Sequence, residues 1–83
     1  NNLMDHEFSH EDKEKLIETV FENQLVKNIH DMKTRLAGSR LFAQFHVELD
    51  GEMSLRDAHE VADDIQIRVS GAFPNAEIII HLD

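Results

Sequence analysis

The chain contains no cysteine. That removes disulfides, Cys-ligated zinc, iron–sulfur clusters and thiolate nucleophiles together. Long apolar runs are missing too. None exceeds the three residues of Ile78 to Ile80, far short of the roughly 20 that a membrane helix needs. Basic residues are scarce, with 8 Lys and Arg against 17 Asp and Glu, for a formal net charge of −9. Nucleic acid and anionic membrane faces both call for clustered Lys and Arg, so neither is an expected partner. Cations are. The opening stretch, NNLMDHEF, is polar and acidic and has no apolar core of a secretory signal. These residues are expected to form a soluble domain.

With 83 residues the chain is one small domain. A core of this size supplies only about 3–5 kcal/mol. Small domains usually add disulfides, a metal or a partner subunit, and without cysteine the last two remain. What the chain holds in unusual number is histidine: six of them.

Residues 1–8 show no clear period and read as a linker, with the domain proper at 9–83. Ser9 is a good N-cap, and Glu11, Asp12 and Glu14 sit at the positive end of the helix that follows. Leu16, Ile17, Val20 and Phe21 share one helical face, giving a first helix over about residues 10–23. Gly38 and Ser39 carry the turn chemistry of a hairpin. After them the chain alternates cleanly. Leu41, Ala43, Phe45, Val47 and Leu49 face one way, and Phe42, Gln44, His46, Glu48 and Asp50 the other, which is a half-buried strand. The strand before the turn alternates less cleanly and its faces stay unassigned. Ser54 followed by Asp57 resembles a capping box. Leu55, Ala58, Ala62, Ile65 and Val69 then recur at helical spacing over about 55–70, and Gly71 and Pro74 stop the helix. The last strand, about 76–82, turns Ala76, Ile78, Ile80 and Leu82 to one face and Glu77, Ile79, His81 and Asp83 to the other. The order αββαβ predicts an α+β two-layer sandwich, a three-stranded mixed sheet with both helices on one face. A right-handed crossover is expected to lay the last strand beside and parallel to the first.

Four histidines sit where chemistry is possible. His81 and Asp83, two apart on a strand, share a face at about 7 Å between Cα atoms. His46 lies on the polar face of the second strand. His30 lies on the first, with Asp31 turned to the opposite side. His59 falls roughly 100° from the centre of the apolar stripe of the second helix, at the rim between core and water. Each alone is an ordinary polar surface residue. His6 and His10 belong to the tail and the first helical turn, and nothing places them near the others. If the four histidines and Asp83 converge, imidazole and carboxylate suit Zn²⁺, Fe²⁺, Co²⁺, Ni²⁺ or Mn²⁺ and not Cu(I). Five donors exceed one tetrahedral zinc site. Two ions sharing a carboxylate, or one site with a neighbour, would use them better.

HDMKTR, FHVELD, AHEVAD and IIIHLD, at these separations, resemble the cytosolic C-terminal domain of cation diffusion facilitator transporters of the bacterial zinc and ferrous-iron efflux type. The resemblance runs over about residues 3–83. It implies a metallochaperone-like (ferredoxin-like) αββαβ fold, a homodimer, and a transmembrane domain elsewhere in the same full-length protein at the bacterial inner membrane. It implies a two-zinc site near the dimer interface built from His30, His46, His59, His81 and Asp83, with Asp83 suited to bridging. Zn²⁺ is the expected metal, with Fe²⁺, Mn²⁺, Co²⁺, Ni²⁺ and Cd²⁺ as others. Leu3 to Glu7 would continue from the last membrane helix. Leu82 departs from the glutamine usual at that position.

The expected role is regulatory: metal binding tightens the dimer and so controls transport. The other reading is a homodimerisation module indifferent to metal. An enzyme is not expected, because no nucleophile pairs with a base and an orienting third group. Ser9 and Ser54 serve as helix caps and Ser39 as a turn residue.

Overall fold

A computed structural model describes residues 8–38 and 40–83. The expectations for His6, for Ser39 and for all of the 1–8 linker but Phe8 lie outside these residues; Phe8 itself packs against the core beside Phe73. Ser9 caps the first helix, α1, over His10–Phe21, as its side chain required. It does so reciprocally: Ser9 Oγ accepts from the Asp12 amide at 3.1 Å, and Asp12 Oδ2 accepts from the Ser9 amide at 3.3 Å. The remaining elements are strands β1 (Asn28–Ala37) and β2 (Arg40–Glu48), helix α2 (Leu55–Ala72) and strand β3 (Glu77–Leu82). Gly38, at φ 63°, supplies the left-handed backbone of the β1–β2 turn. Ser54 accepts from the Asp57 amide at the start of α2. That helix runs through Gly71, and Phe73 closes it.

β2 carries the core. Leu41, Ala43, Phe45 and Val47 are all buried, with Phe45 and Val47 wholly so. Leu16 and Val20 of α1, Val61, Ile65 and Val69 of α2, and Ile78 of β3 close over them in one cluster. Both helices therefore lie on one face of the sheet. Leu55, placed on the buried stripe by its spacing, is 73% exposed instead. Val61, about a turn and a half further on, takes the inward position with Ile65 and Val69. Asp64 of α2 accepts from Asn23 at 2.8 Å and from Arg68 at 2.7 Å, and Arg68 reaches Glu22 at the end of α1. This clamp sets the two helices side by side.

The sheet order is β1-β2-β3. The last strand is thus not beside the first. It pairs parallel with β2, through Ala43↔Ile78 and His46↔His81, while β1 pairs antiparallel with β2 on the other side. The reason is burial: β2 is the strand with an unbroken apolar inner face, and the central place covers both its edges. The polar face then shares a row across all three strands.

β1 alternates imperfectly because it is bulged. His30 pairs with His46, yet Lys33 pairs with Gln44, so β1 holds one extra residue between them. Asp31 absorbs it at φ 53°, a conformation that Asp tolerates better than most residues. The bulge keeps Ile29, Met32 and Leu36 packed on the core while His30 stays on the open face. Asp31→Val should cost about 1–2 kcal/mol, the penalty of a left-handed residue with a branched side chain, and Asp31→Gly should hold or raise stability. Urea unfolding measures both, and a harmless valine would mean that the bulge is not there.

The clamp gives a second expectation. Hydrogen bonds from Arg68 first, and then from Asn23, hold the Asp64 carboxyl below its ordinary value of 3.8. A carboxylate depressed in the folded state stabilises the fold above its unfolded pKa, and that contribution is lost as pH falls through the folded one. Asp64→Asn should therefore lower the melting temperature at pH 7 and cease to matter once the medium is acidic enough to protonate the wild-type carboxyl. The pair is partly exposed, so the effect is small and weakens with salt.

Candidate metal centre

The sheet face away from the helices is patterned in rows. Arg35, Phe42 and Glu77 form one, and Lys33, Gln44 and Ile79 the next. Then come His30, His46 and His81, one from each strand. Their rings stack: His30 on His46 at 4.9 Å between centroids, and His46 on His81 at 4.7 Å, with planes 18° and 17° apart. Glu48 follows His46 on the same face, beyond the histidine row.

Asp83 stands beside that end of the sheet. It is not a fraying terminus, since its amide donates to Val47 O at 2.9 Å and its carbonyl accepts from the Leu49 amide at 3.2 Å. The parallel ladder thus holds the residue on both sides. Its carboxylate reaches across β2. Oδ2 lies 3.0 Å from His30 Nε2 and 3.2 Å from His46 Nδ1, with Oδ1 3.4 Å from the latter.

One ligand atom each from His30, His46 and Asp83 lies within 4.8 Å of the others. Donors on a single zinc, at about 2.0–2.2 Å each, stand no more than about 4.4 Å apart. Small side-chain movements suffice to bring these three onto one ion. Imidazole nitrogen and carboxylate oxygen are the donors that divalent transition metals take. Side-chain exposures of 37% for His30, 30% for His46 and 42% for Asp83 leave the group open to an ion from water. The donor set and its spacing fit a metal.

The other two expected ligands are placed differently. His81 is exposed and stacked against His46, next to the cluster without being part of it. His59 is exposed on α2. The flank of α2 facing α1 is marked by Asp64 and Arg68 through their bonds to Asn23 and Glu22, and by helical spacing His59 falls on the opposite flank. Within one protomer it joins no metal-competent group among the described residues. His10 pairs with Glu14 at 3.2 Å on exposed α1 and stays a bystander.

One residue was missed by the sequence reading. Glu48 Oε2 lies 2.8 Å from His30 Nδ1. The signal was available, because Glu48 follows His46 by two on the alternating strand. Spacing alone does not pair it with His30, because the faces of β1 are not readable from its sequence.

The family model for "Cation efflux protein, cytoplasmic domain" matches residues 8–83. The chain belongs to this family. It is 48% identical over 82 residues to Protein p34 of Rickettsia rickettsii, covering 99% of this chain and 27% of that protein. It is 42% identical over 81 residues to the cation-efflux pump FieF of Shewanella oneidensis, covering 98% of this chain and again 27% of the relative. The chain thus spans about a quarter of the length of these relatives. A solved structure of CzrB, a candidate zinc transporter, superposes with a TM-score of 0.84 at 30% identity, over 90% of this chain and 94% of that one. Among the described residues no helix is long and apolar enough to cross a membrane.

The expected departure at Leu82 falls on the inner face of the sheet. Leu82 pairs with Val47 and packs against the core, on the face away from the histidines.

Proposed function

We propose that this domain is the metal-responsive regulatory part of a divalent-cation efflux transporter, with Zn²⁺ as its first ligand and Fe²⁺, Mn²⁺, Co²⁺, Ni²⁺ or Cd²⁺ as others the same donors accept. The supporting observation is the meeting of His30, His46 and Asp83 on the sheet face away from the helices. The role is not catalytic. Bound metal joins donors from the separate strands, and in a homodimer it ties the subunits together. The transmembrane part of the full-length protein would sense this as a population shift toward a transport-competent arrangement.

Five donors are more than one tetrahedral zinc uses. Asp83 already addresses His30 and His46 through its carboxylate, so it is the natural bridge between two ions. His81 is the neighbouring donor. His59, remote from the cluster in one chain, is assigned to the site as a ligand offered by the second subunit.

A metal-independent dimer module is the second reading. The outer face of the sheet, which no helix covers and which carries Phe42 and the half-exposed Ile79 in neighbouring rows, favours it, because an open sheet face or edge is a natural place for a second copy to pack. The two readings separate in one experiment. At a hundredfold excess of zinc over Kd the folded state should gain about 2.7 kcal/mol, which raises the melting temperature by roughly 10–20 °C for a domain of this size. His46→Ala combined with Asp83→Ala should abolish the rise. A melting point indifferent to zinc, with the dimer retained in chelator, would establish the second reading instead.

Histidine ligands bind metal only when unprotonated. Zinc affinity measured by calorimetry should fall as the medium is acidified and protons compete with the metal for the imidazole nitrogens. Affinity that stays flat from pH 8 to 5 would contradict a histidine-built site.

A further inference from the structure

His30 has a carboxylate oxygen against each ring nitrogen. Nε2 faces Asp83 at 3.0 Å and Nδ1 faces Glu48 at 2.8 Å. The two sides are not equivalent. The Nε2 side opens on His46 Nδ1 and Asp83, which form the metal-competent group. Nδ1 is closed off from solvent and has no aligned hydrogen bond. Its contact with Glu48 has the length of a charge-assisted bond without the direction, so a modest turn of the Glu48 side chain completes it. Glu48 itself is outside the group of donors that converge.

An ion held by His30 takes the lone pair of one nitrogen, and the ring proton must then sit on the other. The buried Nδ1 leaves little room for an ion, whereas Nε2 already points at the other donors. The proton belongs on Nδ1, and Glu48 is the acceptor within reach. We propose that Glu48 is the positioning residue of the metal centre: it accepts the Nδ1–H of His30, fixes that tautomer and turns Nε2 toward the metal. The backbone makes the arrangement firm. Glu48 O accepts from the Lys27 amide at 2.8 Å, and Asn28 pairs with Glu48 in the ladder on the same face as His30↔His46, with Ile29↔Val47 between them. A carboxylate behind a ligating imidazole raises its basicity and holds its orientation, and losing such a partner typically weakens metal affinity about 10–100-fold.

This inference rests on the metal-site reading, and the test separates the two. Zinc is titrated into the wild-type domain and into Glu48→Ala and Glu48→Gln by calorimetry, and long-range ¹⁵N–¹H NMR reads the His30 tautomer in the zinc-loaded proteins. Wild type should show His30 protonated at Nδ1. Glu48→Ala should bind zinc roughly 10–100-fold more weakly and lose the protected Nδ1 proton, with circular dichroism unchanged. Glu48→Gln, whose carbonyl still accepts, should recover the tautomer and most of the affinity. Zinc bound equally by wild type and Glu48→Ala, or a zinc-loaded His30 protonated at Nε2, overturns the role of Glu48 alone. A wild-type domain that takes up no zinc overturns the metal site and Glu48 together.

Discussion

The alternation of β2 is the constraint on which the molecule depends. Leu41, Ala43, Phe45 and Val47 bury the inner face of the sheet, and the period of two therefore commits Gln44, His46 and Glu48 to the outer face. The apolar set is strong enough to fix the register, because a slip of one residue would put four core side chains in water. That register in turn brings His46 level with His30 and His81. The core and the candidate metal centre are two faces of the same strand, and the energy that specifies one specifies the other.

Ladder pairing and ring stacking gather these imidazoles and the carboxylate on one face of the sheet. His46 accepts a place between two stacked rings, and Asp83 is pinned through its own backbone to Val47 and Leu49. The acidic surface adds attraction for the cation, and 17 acidic against 8 basic residues make this a property of the chain as a whole.

Much of this was legible in the sequence, and the illegible parts share a cause. The order of elements, the two helix caps and both faces of β2 and β3 follow from spacing and side-chain chemistry. β1 resisted because its period breaks at Asp31, and nothing local announces that an aspartate will sit at φ 53° and take up an extra residue. The neighbour of β3 was misjudged because pairing is decided by which strand most needs cover, a property of the assembled core. The convergence of His30, His46 and Asp83 depends on both points at once. No spacing within the chain could show it. Resemblance to a family supplied the set, and geometry in one chain supplies three of its five members.

The bulge and the role of β3 finally bear on one another. Were the same residues of β1 unbulged, the regular alternation that points Lys33 and Arg35 to the open face would put His30 among the core residues. With the bulge, the hydrophobic pattern of β1 is satisfied on both sides and His30 meets Asp83. β3 solves the same problem with no bulge: Leu82 faces the core while His81 and Asp83 on either side of it face out. A glutamine at position 82 would turn an amide toward the core, where Leu82 packs instead, at no cost to the outer face. The inner positions of the strands carry the core and the outer ones carry His30, His46 and His81, so each strand is constrained on both faces.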